Sequence, residues 1–298
     1  MTLPVERFLV DFHNRMPGGS SQAFNALQVQ DAQGQPLADT YQALVDALAA
    51  ADVPDGSLPD TALPDGPVLD LACGDGLLLA RLQASGHTVL GADLSAGELA
   101  AARARLGQSV PLHQARAQAL PLASASIAAI TCHMALMLMA QPSAVVAELA
   151  RVLRPGGRLL AVVPAAPTAS TPNGTPAGTS TDPVSAAFTA AMAGHARLPD
   201  WQDLRFEGRA WRDPAALATL LQPAFNAPRI THLAGQHSFT PHQAWAWFVG
   251  LYDLHLLPHT AWPAVQANLL TRLAPLCNAA GHVTLPHAYL LIDATRAH

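Results

Sequence analysis

From about Pro67 the chain alternates short apolar runs with longer stretches whose apolar positions recur at helical spacing. This alternation predicts parallel strands joined by crossover helices, an α/β arrangement. The runs place strands at 68–71, 88–93, 110–114, 127–133 and 158–163, with helices starting near Gly76, Ser95 and Pro142. Ser95 followed by Glu98 reads as a capping box, the side chain of each covering a backbone amide of the other at the helix start. Arg154-Pro155-Gly156-Gly157 ends a helix and turns the chain into the next strand, because glycine reaches positive φ and proline cannot continue the helix.

Outside this block the pattern changes. Residues 1–60 read as an N-terminal helical cap and 61–164 as the ligand-binding core. Residues 165–183 are rich in Pro, Thr, Ser, Gly and Ala without a period and read as a mobile surface loop. Residues 184–298 complete the core: a helix at 213–221, a strand at 229–238, two or three helices within 240–278 and a closing strand at 282–294. That order implies a final antiparallel strand pair with a helical lid, about 240–280, inserted between its members.

Half of the 298 residues are apolar, enough to bury a large core. A formal charge of -5 gives no cationic footprint, which sets aside nucleic acid and anionic membranes as partners and leaves small molecules. All sixteen basic residues are arginine. Chemistry that needs a lysine amine is therefore closed: Schiff bases, pyridoxal phosphate and the phosphate-binding loop lysine. Cys73, Cys132 and Cys277 lie far apart with no C-x-x-C pairing, which argues against a disulfide framework or zinc site and fits a reducing cytoplasm. Charges at Glu6, Arg7 and Asp11 interrupt any long apolar run, so neither a signal peptide nor a spanning helix is expected. His255 and His259 are four apart, but Pro258 breaks the helix that would align them, and no metal site is expected. Nothing in the sequence sets an oligomeric state.

The chemistry concentrates where the first core strand passes through Asp70, Ala72, Cys73, Gly74, Asp75 and Gly76 into a helix. Two glycines two apart let backbone approach a ligand closely, and the helix start behind them favours its polar or anionic groups. Asp93, seventeen residues past Gly76, ends the next strand, where a carboxylate can hold two ribose hydroxyls. A nicotinamide dinucleotide would want a third glycine at the position Leu79 occupies.

With the later blocks, the chain resembles the class I S-adenosylmethionine (SAM)-dependent methyltransferases, above all the small-molecule branch. The matching pieces are VLDLACGDG at 68–76, LGADLS at 90–95, ARAQALPLASAS at 115–126 and AELARVLRPGGRLLAVVP at 147–164. The resemblance implies a Rossmann-like, mostly parallel seven-stranded sheet with an antiparallel last strand, and SAM as cosubstrate. It places Asp70, Ala72, Cys73, Gly74, Gly76, Asp93 and Leu94 around the methionine part and ribose, and Arg116, Ala117 and Gln118 at the adenine. Two positions depart from the family: Arg116 stands where an acid commonly accepts from the adenine amino group, and Ala128 where the fourth strand usually carries Asp. A guanidinium at Arg116 can stack on the base instead.

His133 ends the fourth core strand, at the side that faces the crevice in this fold, and is a candidate to orient substrate or act as base. A packed or cofactor-facing imidazole without proton transfer is the competing reading. The run Ala135 to Met139 reads as core or as an adaptable apolar wall. Family members often cover the amino-acid end of SAM with an N-terminal segment, which makes Tyr41 and Arg15 candidate contacts. His133 and Tyr41 are the catalytic candidates. Trp245, Trp247, Phe248 and Tyr252 cluster in the lid as core or pocket lining. The implied activity is methyl transfer to a small metabolite. The alternatives are intramolecular cyclisation of SAM to azetidine-2-carboxylate with release of methylthioadenosine, and SAM binding without turnover.

Overall fold

The computed structural model describes residues 3–25, 27–31, 33–50, 63, 65–166 and 182–298. Its strands are β1 (Val29–Gln30), β2 (Pro36–Leu37), β3 (Val68–Leu71), β4 (Val89–Asp93), β5 (Leu112–Gln114), β6 (Ile127–His133), β7 (Leu153–Pro164), β8 (Arg229–Phe239) and β9 (Val283–Thr295). They form one sheet in the order β2-β1-β8-β9-β7-β6-β3-β4-β5. From β5 to β7 the strands are parallel, and β9 runs antiparallel between β7 and β8. The loop expected at 165–183 falls mostly on residues 167–181, outside the described ones.

The sequence IAAITCH of β6 is buried at every position, as a strand covered on both faces must be. Helices α4 (Leu77–Ala84), α5 (Ala96–Leu106) and α6 (Pro142–Val152) are the crossovers of the parallel part. The N-terminal region holds α1 (Pro4–Arg15), α2 (Gly19–Phe24) and α3 (Thr40–Ala49), and it also supplies β1 and β2. That hairpin adds two strands beyond β8, so the sheet has nine strands where seven were expected. Strands of two residues carry no readable alternation; they are held by the turn between them, where Asp31 accepts from the amides of Gln33 and Gln35.

Past the described break, α7 (Pro183–Met192) and α8 (Pro214–Leu221) precede β8, and α9 (Pro241–Val249), α10 (Tyr252–His255) and α11 (Trp262–Leu273) lie between β8 and β9. This insertion has its own apolar core with α7: Phe188 stacks on Phe248 at 3.9 Å, over Val184, Leu254, Val265 and Leu269. No helix among the described residues is long and apolar enough to cross a membrane.

One glycine lets the region before α8 pack closely on the turn that follows β6. A Cβ at Gly208 would lie 2.3 Å from the carbonyl oxygen of Met137, closer than any packing allows. Gly208→Ala is expected to destabilise the protein by about 1–3 kcal/mol, the usual range for overpacking, read as a fall in melting temperature.

Candidate functional site

Strand order reverses beside β3: the chain moves outward through β4 to β5, then returns to the other side of β3 for β6. At such a reversal the carboxyl ends of parallel strands open into a crevice. Ala72, just past β3, and Met134, just past β6, both adopt left-handed backbone, with φ of 56° and 54°. Side-chain residues rarely do so, and both line the crevice.

Asp70 is buried in β3, with Thr131 donating to its Oδ1 at 2.9 Å. Burial pushes its carboxyl up to about 8, nearby Asp93 adds to the rise, and the Thr131 bond opposes it. Its folded value therefore lies above the unfolded 3.8, the folded state binds the extra proton, and stability falls as pH climbs from about 4 to 8. Asp70→Asn removes that titration. In thermal unfolding of the ligand-free protein, the variant is expected to melt at least ~2 °C above the unsubstituted chain at pH 9, with the gap closing towards pH 4.

Asp93 ends β4 and holds the glycine turn against the start of α5: Gly74 N donates to Oδ2 at 3.0 Å and Ser95 N to Oδ1 at 2.8 Å. Burial raises its pKa, while those two bonds and nearby His13 pull the other way. The glycines divide their work. Gly74 lines the crevice, whereas Gly76 does not. At Gly76, φ is +78° and a Cβ would sit 2.8 Å from Leu106 Cδ1, so glycine there serves the packing of α4 on α5 and not approach to a ligand.

His133 and Tyr41 stack face to face, centroids 3.7 Å apart, with Thr40 Oγ1 2.8 Å from His133 Nε2. Burial, aided by Arg81, pushes the imidazole down to about 3, so it is neutral at neutral pH and a weak proton acceptor there. Burial foremost, then Asp75, Asp70 and Asp39, raises the Tyr41 phenol, and the Arg81 guanidinium lies 5.5 Å over its ring. The pair forms a neutral wall, closer to the packed-imidazole reading of His133 than to a base.

The roof comes from α1, whose Glu6, Leu9, Val10 and His13 face the crevice at helical spacing. Glu98 on α5 clasps it: His13 donates from Nδ1 to Oε1 at 2.8 Å and Gly18 N donates to Oε2 at 2.9 Å. Because the carboxylate can only accept, Nε2 of a neutral His13 is left to accept from Tyr252 Oη, 2.9 Å away. Ser21 donates to Asp75 Oδ2 at 2.7 Å and anchors the Gly18 turn to the floor. The expected capping box at α5 is therefore half made. Ser95 Oγ does accept from Glu98 N, but Asp93 takes Ser95 N, and the Glu98 side chain is drawn to α1.

All the sequence-derived site residues line the crevice except Gly76 and Arg15. Arg15 lies two positions from His13, off the inward face of α1, and its guanidinium pairs with exposed Asp11 at 2.7 Å. Glu6, His13 and Glu98 were not among the site candidates, and Tyr252 was expected only as core or pocket lining. The signal for the first two was the 6-9-10-13 spacing in α1. Leu136 of the apolar run is core, while Ala135, Leu138 and Met139 line the crevice. Of the aromatic residues in the insertion only Tyr252 reaches it among the described residues.

Residues 69–161 match a family model described as a methyltransferase domain. Among solved structures, one from Bacillus halodurans named as a candidate methyltransferase is 17% identical, with a TM-score of 0.51 over 86% of this chain and 99% of that one. The YcgJ protein from Bacillus subtilis is 18% identical, with a TM-score of 0.51 over 87% of this chain and 99% of that one. Identities this low establish a shared fold. No curated protein matches the chain.

Proposed function

We propose that the protein, whose residues 69–161 match a methyltransferase domain, is a class I SAM-dependent methyltransferase that transfers the methyl group of SAM to a small-molecule acceptor. The observation that carries this reading is a crevice with a carboxylate floor and a helical roof: Asp70, Asp75 and Asp93 below, Glu98 at the side, α1 and Tyr252 across the top. The roof leaves a small molecule as the fitting acceptor.

The residues suit SAM. Neither Asp70 nor Asp93 forms a salt bridge among the described residues, and a ligand carrying ammonium and sulfonium charge supplies the missing cation. Each Asp93 oxygen holds one backbone donor and keeps a lone pair for a ribose hydroxyl. Bound there, SAM supplies an electrophilic carbon on a sulfonium. The chain's contribution is alignment and exclusion of water, with orientation alone worth roughly 7–11 kcal/mol. Tyr41, His133, Leu138 and Met139 provide neutral walls that keep the acceptor dry and in line. With methyl-labelled SAM and a cell extract, label is expected in a small molecule other than SAM, formed only when the protein is added. Label confined to protein or nucleic acid would overturn the reading.

Asp70 favours a second reading. Burial raises its carboxyl above the ordinary carboxylate range, which makes the ionised form the stronger acceptor for the amino group's proton. The neutral amine of SAM can then displace its own sulfonium, closing azetidine-2-carboxylate and releasing methylthioadenosine. Incubation with SAM alone separates the two. Azetidine-2-carboxylate together with methylthioadenosine, formed without an acceptor, supports cyclisation; intact SAM favours methyl transfer.

A further inference from the structure

Two imidazoles line the crevice among the described residues, His13 and His133. His133 makes a poor proton acceptor: Thr40 engages its Nε2, and burial pushes the ring down to about 3. His13 is held differently. Its Nδ1 donates to Glu98 Oε1 at 2.8 Å, and its Nε2 lies 2.9 Å from Tyr252 Oη. An imidazole whose Nδ1–H is fixed by a carboxylate presents Nε2 as an acceptor, the arrangement that orients a general base. The imidazolium formed when Nε2 takes a proton faces Glu98 and has Asp93 nearby, so its charge is offset.

Tyr252 reaches from His13 into the crevice. Its ring is packed by Phe8, Phe12 and Phe206, with centroids at 6.2, 4.7 and 6.2 Å, which fixes the hydroxyl beside Nε2. Having given its proton to that nitrogen, Oη keeps lone pairs for a second donor. Burial foremost raises the phenol, with Asp93 and Glu98 adding to the rise and the Ser20 hydroxyl opposing it. Tyr252 is therefore suited to pass a proton on and not to stand ionised.

We propose that His13 takes the proton of the methyl acceptor through the Tyr252 hydroxyl, with Glu98 holding the imidazole in place, and that the acceptor is a hydroxyl compound. The inference rests on the methyl-transfer reading of the crevice. As the acceptor oxygen bonds the methyl carbon, the C–S bond breaks and its electron pair stays on sulfur. The acceptor's O–H proton moves to Tyr252 Oη, and the phenol's own proton moves to His13 Nε2, which returns it to water after the product leaves. A neutral amine attacks without such help, whereas a neutral hydroxyl is a weak nucleophile. The crevice also lacks a free cation to hold an oxyanion among the described residues, since Arg116, its one guanidinium, pairs with Glu6 at 2.7 Å.

His13→Gln separates proton transfer from packing, because glutamine can donate to Glu98 and accept from Tyr252 but does not take up a proton. The probe is methyl-labelled SAM with the small-molecule fraction of a cell extract. The rate of label transfer is expected to fall about a hundredfold or more in His13→Gln, the usual loss for a general base, while calorimetry shows SAM affinity within about threefold of the unsubstituted protein. The labelled product is expected to be a methyl ether or ester. His13→Ala is expected to regain rate with added imidazole and much less with triazole, a weaker base of the same shape. In the ligand-free protein, nitrogen NMR in mildly alkaline solution is expected to show His13 with its proton on Nδ1. A rate retained in His13→Gln, an N-methyl product, equal rescue by both additives or a proton on Nε2 overturns the inference. Should His13→Gln fail to fold or to bind SAM, Tyr252→Phe, which keeps the ring packing, takes its place with the same expected loss. No label transferred by the unsubstituted protein would instead remove the methyl-transfer reading, and this inference with it.

Discussion

Asp93→Ala is expected to weaken SAM binding about a hundredfold or more while leaving the sheet folded. The carboxylate stands between the glycine turn and the start of α5, with one backbone donor on each oxygen. Removing it takes away the proposed acceptors for two ribose hydroxyls and leaves the amides of Gly74 and Ser95 unpaired. Hydrogen bonds to a charged group contribute roughly 1.5–3 kcal/mol each, so losing two reaches the ~3 kcal/mol that corresponds to a hundredfold. Asp93→Asn keeps an acceptor oxygen and is expected to lose less, on the order of tenfold. Titrating SAM into each variant, alongside circular dichroism, checks both. Unchanged affinity in Asp93→Ala would remove the carboxylate from the site.

The second large effect is expected at Glu98, which holds the roof. Its side chain is buried, 2% exposed, and its two oxygens accept from His13 of α1 and from the amide of Gly18. His13 in turn meets Tyr252 of the insertion. Glu98→Ala therefore removes the polar link among three segments, α1, the Gly18 turn and the insertion, and leaves the packing of Phe8 and Phe12 on Tyr252 to hold the roof. Breaking such a buried polar cluster is expected to cost about 3 kcal/mol. The loss should be local: hydrogen exchange in residues 4–24 rises while β3 and β6 stay protected, and SAM affinity falls at least about tenfold because the roof no longer closes. Uniform loss of protection across the sheet would show instead that Glu98 supports the whole fold.

Much of this architecture was legible because its strands are buried on both faces. VLDL of β3 and IAAITCH of β6 are mostly apolar runs broken only by Asp70, Thr131 and His133, and the sheet pairs them side by side. The two-residue strands of the hairpin were not legible, since no period can be read from two positions. In the site, the floor follows from local order: Asp70, the glycine turn and Asp93 are placed by the strands that end in them. The roof depends on partners distant in sequence. Glu98 has the spacing of a capping residue, and nothing near it in the chain shows that His13 and Gly18 compete for its oxygens. Arg15 and His13 are likewise two residues apart, and only the burial of one face of α1 separates the exposed one from the one over the crevice.

The reading of Asp70 links floor and chemistry. Its raised carboxyl makes the ligand-free protein less stable at alkaline pH, and a cation beside it restores the ionised form. Binding of SAM is accordingly expected to strengthen as pH rises towards 8 and to weaken again as the ligand's own ammonium loses its proton near its ordinary 7.7–8.0.

Equilibrium dialysis of the protein against methyl-labelled SAM near pH 8 tests the central claim most directly. The account expects saturable retention of one label per chain, displaced by unlabelled S-adenosylhomocysteine. Equal label on both sides of the membrane at every protein concentration would contradict it.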